Sequence, residues 1–300
     1  MTETPIANSP APAGSLRRLI SCVRFDEVLV LQGPPLIGAI LALDALTGRN
    51  VVLLAVLALG SLCLVAHVFV LNDWSGIYGD LEDPRRAART FATKGIGRTK
   101  IGLLALALLG LSLAFFALLG AVPLLLALAI AGLGGLYSAP ATHVKGIPVL
   151  GSFLHLLGGT LHFLLGYATF AAIDGRGIAI GCFFGLVFAA GHLMHETRDH
   201  AADLLNGIRT NAVVFGRTRT FFAGFALFTV AYALLATLAA LGIVPRLLVL
   251  MAALYPIHLW ATIRALRAGL TFEGLRQLQA CYRLLYTIIG VTMVAAALLP

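Results

Sequence analysis

Residues 51–83 read VVLLAVLALGSLCLVAHVFVLNDWSGIYGDLED. From Val51 to Leu71 there is no Asp, Glu, Lys or Arg; Asp73, Asp80, Glu82 and Asp83 then follow in quick succession. A bilayer-crossing helix needs about 20 mostly apolar residues. The stretch therefore reads as a membrane span that ends in carboxylates at the membrane surface. The rest of the chain repeats the theme: of 300 residues, 60% are hydrophobic and 11% charged, with a mean hydropathy of +0.96. A soluble domain carries about 25% charged residues, so a soluble fold lacks the polar surface it would need.

The composition and hydropathy predict an all-α, polytopic membrane protein with about nine spans. They fall at about 27–46, 51–72, 101–119, 121–138, 147–171, 177–196, 220–241, 245–263 and 281–299. The pairs 101–119/121–138 and 220–241/245–263 are joined by very short connections and read as antiparallel helical hairpins. Residues 1–20, polar and small at their start, are expected to be a disordered cytoplasmic N-terminus. Residues 21–300 are expected to form one transmembrane domain. No short apolar segment with a small-residue cleavage site precedes the first span, which is expected to stay in the membrane.

Of the 21 Lys and Arg, only Arg49, Arg176 and Arg246 fall on one side of this layout. The positive-inside rule makes the crowded side cytoplasmic, with the N-terminus on it and the C-terminus opposite. The absence of a transit peptide and the Ala/Gly/Leu/Arg-rich composition point to a bacterial inner membrane. The net charge of +8 sits beside the spans, where lipid headgroups account for it; nucleic acid is not expected as a partner. Cys22, Cys63, Cys182 and Cys281 are scattered and suggest neither a disulfide nor a metal site.

The acids follow the same asymmetry, with only Asp44 and Asp174 on the far side, and the positive-inside rule does not require that. They form two clusters. The first, at the end of span two, runs Asn72-Asp73 to Asp83 and continues to Lys94 and Arg98. The second, at the end of span six, is His195-Glu196-Thr197-Arg198-Asp199-His200-Ala201-Ala202-Asp203, followed by Asn206-Gly207-Ile208-Arg209-Thr210. Residues four and eight apart lie near one face of a helix. That places Asn72, Gly76 and Asp80 together, and His195, Asp199 and Asp203 together. Asp199 and Asp203 are about 6 Å apart along the axis, and two such carboxylates repel unless a cation lies between them. Magnesium takes oxygen ligands, commonly one or two carboxylates plus substrate phosphate. Two carboxylate-bearing helix ends facing each other can hold magnesium with a diphosphate bridging them. The plain alternative is a pair of solvated helix ends; finding two clusters at matching places on one side weighs against it.

These residues resemble the UbiA superfamily of intramembrane prenyltransferases. The first cluster is similar to that family's NDxxDxxxD motif, and the second to its DxxxD motif. Gly207-Ile208-Arg209-Thr210 resembles the family's G-[KI]-R-T tail. Leu136-Tyr137-Ser138-Ala139-Pro140 with Lys145 resembles its YS-x-P…K segment, and Gln32-Gly33-Pro34-Pro35 is also similar. The resemblance covers about 20–295 and implies a helical bundle around a central cavity, built of two pseudo-repeats, about 21–146 and 147–270, followed by a ninth helix at 281–299. It implies magnesium-dependent transfer of a prenyl group from a prenyl diphosphate to an aromatic or other lipophilic acceptor, as in quinone or lipid biosynthesis. The residues it implies as catalytic are Asp80, Asp199 and Asp203. Metal ligands are expected among Asn72, Asp73, Asp80, Asp83, Glu196, Asp199 and Asp203. Diphosphate contacts are expected from Lys94, Arg98, Lys145 and Arg209, with Tyr137 facing the cavity. One position departs from the pattern: the middle aspartate of the first motif is Gly76, which supplies no ligand. The alternatives are a terpene cyclase of the same superfamily, a catalytically dead relative, and a transporter or lipid-binding protein.

Of the other polar residues, His67, His155, His162 and His192 are expected to hydrogen-bond between helices. His155 and His162, seven apart, share a face. Arg283 and Tyr286, at the start of the last expected span, read as interface anchors.

Overall fold

The structure, a computed structural model, describes residues 15–82, 87–88, 90–139 and 144–298. Asp83, Pro140 and the first 14 residues lie outside the described residues. The helices are α1 (Ser15–Ile20), α2 (Phe25–Val30), α3 (Gly33–Ala42), α4 (Gly48–Glu82), α5 (Arg98–Leu119), α6 (Ala121–Ser138), α7 (Leu150–Tyr167), α8 (Gly175–Leu205), α9 (Asn211–Phe215), α10 (Arg217–Ala240), α11 (Tyr255–Arg267) and α12 (Phe272–Leu298). Two 3₁₀ segments, Val144–Gly146 and Arg246–Leu254, complete the fold. Among the described residues there is no strand.

Among the described residues, eight helical stretches are long and apolar enough to cross a membrane. The fifth expected span is helical over Leu150–Tyr167, but is not one of these eight. Its 18 residues include His155, His162 and four glycines, which lower its hydropathy. Its inward faces are covered instead by α3 and α8, against which it packs. The first span breaks into α2 and α3 where Pro34 and Pro35 open the second helix, as proline at the first helical positions favours. The eighth begins as 3₁₀ and turns α-helical at Tyr255 and Pro256. The chain reverses between α5 and α6 at Gly120, whose φ of +119° suits only glycine. That turn forms one of the expected hairpins.

Two expectations are corrected. Residues 15–20, expected to be disordered, form α1, and the Lys94 ammonium donates to the carbonyl of Ser21 just beyond it at 2.5 Å. The last span begins at Phe272, not 281. Tyr286 is thus about 20 Å along its helix, deep in the bundle with its hydroxyl buried, and is no interface anchor. Arg283 is drawn instead into a 2.9 Å ion pair with Glu27 of α2.

The histidines divide by partner. His67 Nδ1 lies 2.8 Å from the Ala105 carbonyl and His162 Nε2 lies 3.1 Å from Ser61 Oγ, both across helices. His155 bonds its own helix at Gly151.

The first and last helices meet: α12 packs on α3, α8 and α11, closing the bundle. The largest buried cluster joins Ile37 and Leu41 of α3 to Phe163 and Leu164 of α7, Phe183 and Phe184 of α8, Leu235 of α10 and Ile289 of α12. Where α3 crosses α7, backbone meets backbone. A Cβ on Gly166 would lie 1.7 Å from the Pro35 carbonyl oxygen, and one on Gly38 would lie 2.3 Å from that of Phe163. Small residues at such crossings let helices approach when lipid gives no hydrophobic drive. At the far end, Asp174 caps α8 by accepting from the Gly177 N–H at 2.8 Å, a bond that holds its carboxyl below the usual range.

Gly166→Ala should therefore force the α3–α7 crossing apart and destabilise the fold by about 2 kcal/mol or more. Gly110→Ala, where an added Cβ meets nothing within 4 Å, should be neutral or slightly stabilising. Thermal unfolding of the detergent-purified protein reads both; equal melting temperatures would contradict the close crossing.

Candidate functional site

The two longest helices are the two that carry the acidic clusters. α4 has 35 residues and α8 has 31, lengths of roughly 52 and 46 Å against a hydrocarbon core of about 30 Å. Both clusters lie in the last turns, so each helix carries its carboxylates to or past the membrane surface.

These two ends touch. A Cβ on Gly79 would lie 3.3 Å from Asn206 Cγ, so α4 and the residue capping α8 meet through a glycine. Asp80 is the next residue on α4. Its Oδ2 lies 3.8 Å from the position of a Cβ on Gly76, so the carboxylate leans back over Gly76, as helical side chains do. Nothing else is within 4 Å of that position. Asn72 is half-buried two turns earlier on the same face. On α8, Asp203 is buried. Asp199 is held by its neighbour: Arg198 Nε donates to Oδ1 at 2.7 Å and its NH2 to Oδ2 at 3.1 Å.

After α8 the chain reverses at Gly207, with φ +65°, and the Ile208 N–H returns to the Asp203 carbonyl at 2.8 Å. This turn presents Arg209 to solvent. A Cβ on Gly146 would lie 3.7 Å from the Arg209 amide nitrogen, so the turns bearing Lys145 and Arg209 lie side by side. Sequence positions 145 and 209 are thereby brought to the same end of the bundle as Asp199 and Asp203.

Glu196 is placed differently from the expectation. It is buried, and both carboxylate oxygens are engaged within the protein. Oε1 lies 3.0 Å from His192 Nε2. Oε2 accepts from the Asn211 amide at 3.1 Å and from Asn211 Nδ2 at 2.8 Å. Asn211 also accepts from the Val149 amide and donates to Ser152. Glu196 thus fastens the start of α9 and the start of α7 to α8. His155 and His192 stack beneath it at 3.8 Å, and Tyr137 meets both rings edge-on. Tyr137 therefore packs on this histidine pair.

Three further candidates have partners other than α8. Asp73, about 100° round the helix from Asn72, forms an ion pair with Arg24. Lys94 reaches Ser21. Arg98 lies over the ring of Trp74 at 4.3 Å and that of Tyr78 at 5.2 Å. Trp74 and Tyr78 are on the face of α4 opposite Asn72, Gly76 and Asp80, so Arg98 is on that face too. Among the described residues no three His, Cys, Asp or Glu side chains converge as a metal cage.

Sequence reasoning missed Arg198, Asn206, Asn211 and Gln279. Arg198 adjoins a predicted ligand and was legible as a neighbour. Gln279 is not: it accepts from Arg198 NH1 at 2.6 Å across 81 residues of sequence.

Comparison with known proteins places the chain. Its sequence matches the UbiA prenyltransferase family over residues 33–270. No curated protein matches it. Among solved structures it is similar to a UbiA homologue from Archaeoglobus fulgidus bound to GPP and Mg²⁺, with TM-score 0.73 and 20% identity over 93% of this chain and 98% of that one. It is also similar to a digeranylgeranylglyceryl phosphate synthase, with TM-score 0.71 and 15% identity over 94% and 98%. A UbiA homologue from Aeropyrum pernix K1 gives TM-score 0.71 and 18% identity over 90% and 98%. At these identities the likeness speaks for the fold.

Glu196→Ala should destabilise the protein by about 3 kcal/mol, because it leaves His192 and the Asn211 donors buried without their partner. Manganese affinity in the surviving folded fraction should stay within about twofold, since Glu196 is buried with Oε2 held by Asn211 and Oε1 turned to His192. A loss of affinity with an unchanged melting temperature would restore Glu196 as a ligand.

Proposed function

The chain belongs to the UbiA prenyltransferase family, and on that footing we propose that it transfers a prenyl group from a prenyl diphosphate to a lipophilic acceptor, with Mg²⁺ as cofactor. The observation that carries this reading is the meeting of the two carboxylate-bearing ends at Gly79 and Asn206. The Archaeoglobus homologue bound to GPP and Mg²⁺ supports the substrate class and the metal.

The donor set suits magnesium. It consists of carboxylate and amide oxygens at a membrane surface, with no soft ligand among them. The lack of a preformed cage is what magnesium sites of this kind have, because substrate phosphate completes the coordination. In this reading Asn72 and Asp80 on α4 and Asp199 and Asp203 on α8 hold the metal. Asp73 is left out because it turns to Arg24 about 100° round α4 from Asn72, and Glu196 because it is buried against Asn211. Lys145 and Arg209, on adjoining turns, bind the diphosphate, where a pair of cations is worth most against a dianionic or trianionic group. Lys94 and Arg98 support the fold of this end of α4 from its other sides.

Bound magnesium would offset the charge that develops on the departing diphosphate. The bond from the prenyl C1 to the diphosphate oxygen breaks, its electron pair leaving with the diphosphate. A new bond forms between C1 and the acceptor, which gives up one proton. The bundle excludes water from the allylic cation meanwhile, favouring capture by the acceptor over hydrolysis. An aromatic or other lipophilic acceptor, of quinone- or lipid-biosynthesis type, fits a site reached through the bilayer. The basic side of the protein, with the site and the N-terminus, faces the cytoplasm.

Purified protein given a panel of prenyl diphosphates should release pyrophosphate only with magnesium, and the product masses separate transfer from cyclisation and hydrolysis. No release even with a membrane extract as acceptor source would remove the enzymatic reading. Asp199→Ala or Asp203→Ala should lower turnover at least about a hundredfold while the protein still folds. Gly76→Asp fits the open space over Asp80 and should tighten metal binding severalfold, measured by calorimetry; unchanged affinity would mean the missing carboxylate was not limiting.

A further inference from the structure

Asp199 already has a cation. Arg198 engages both of its carboxylate oxygens in a forked pair at 2.7 and 3.1 Å, the geometry in which guanidinium binds carboxylate most strongly. The remaining arm, NH1, donates to Gln279 Oε1 on α12 at 2.6 Å, and the guanidinium lies 5.7 Å from the ring of Phe272. Gln279 is itself buried, 4% exposed. The Arg198 side chain is thus anchored at two places, one on the motif helix and one on the last helix.

We propose that Arg198 is the resident counter-cation of Asp199, the group that magnesium must displace to reach this carboxylate, and that Gln279 keeps hold of the guanidinium when it is displaced. The inference rests on the assignment of Asp199 to the metal. Without a cation, Asp199 and Asp203 stand about 6 Å apart along one helix face at a surface where their repulsion would be only partly screened. Arg198 relieves that repulsion in the metal-free protein. The same contact opposes metal binding, because a divalent ion gains Asp199 only by breaking two charge-assisted hydrogen bonds. Metal affinity before substrate arrives is consequently low. The diphosphate, which supplies further oxygen ligands, is what tips the exchange. The guanidinium, still bonded to Gln279, remains beside the site in place of returning to solvent.

The test is manganese binding to the purified full-length protein without substrate, followed by electron paramagnetic resonance, with manganese standing for magnesium. Arg198→Gln should bind about tenfold more tightly than the parent, the scale of one charge-assisted pair at a partly exposed site. Arg198→Lys keeps the charge and loses the fork, and should shift in the same direction. Placed on Asp199→Asn, neither change should tighten binding further. A merely structural arginine would lower the melting temperature and leave metal affinity unchanged or weaker, and that result overturns the proposal. So does tightening in Arg198→Gln with none in Arg198→Lys, which would mark a diffuse field in place of a contact. If Asp199→Asn alone leaves manganese affinity intact, the assignment of Asp199 falls, and this inference with it. The other adverse results overturn the inference alone and leave the metal reading standing.

Discussion

Hydrocarbon offers a peptide group no hydrogen bond, and that constraint organises everything else in the molecule. Each span must satisfy its own backbone, so the chain is helical wherever it crosses. A helix of fixed rise then converts residue count directly into depth. α4 and α8 are longer than the membrane is thick, and their surplus turns are where the chain can keep carboxylates at low cost. The candidate site is the consequence of two helices overrunning the bilayer on the same side and meeting at a glycine.

Charges within this end are sorted by partner. Asp73 is satisfied by Arg24, Glu27 by Arg283, Glu196 by His192 and Asn211, and Asp199 by Arg198. Three of these groups join helices or turns distant in sequence; the Arg24 and Arg283 pairs are partly exposed, whereas Glu196 and its partners are buried. The first ties α2 to α4 and the second ties α2 to α12. The short helix α2 therefore stitches the first half of the bundle to the last helix at the level of the site. Acidic residues that look alike in sequence serve different ends, and only the geometry of their partners separates them.

Much of this was legible in the sequence. Hydropathy found the apolar part of each long helix, because bilayer thickness leaves little latitude there. The i,i+4 spacing grouped Asn72, Gly76 and Asp80 on one face of α4, and Asp199 and Asp203 on one face of α8, because helix periodicity is fixed. What escaped reading has physical causes. The polar ends of α4, α8 and α12 continue as helix past the apolar run, and hydropathy alone cannot see a helix that has left the lipid. Glu196 lies on the same face as Asp199, and its burial against Asn211 depends on a turn whose direction is set by Gly207. Arg98, which the family resemblance implied as a phosphate contact, lies over Trp74 and Tyr78 on the other face of α4, a placement no motif spacing could reveal.

The eighth span begins with nine 3₁₀ residues, Arg246–Leu254, before continuing as an α-helix. A 3₁₀ turn rises about 2.0 Å per residue and an α turn about 1.5 Å. Rewinding those nine residues would shorten the span by roughly 4–5 Å, comparable to the thickness difference between thin and thick cell membranes. Leu247 and Leu250, three apart and both exposed to lipid, mark the stripe along which such a change would be felt. The span thus contains a segment whose winding sets its length, while α4 and α8 are continuous α-helices throughout.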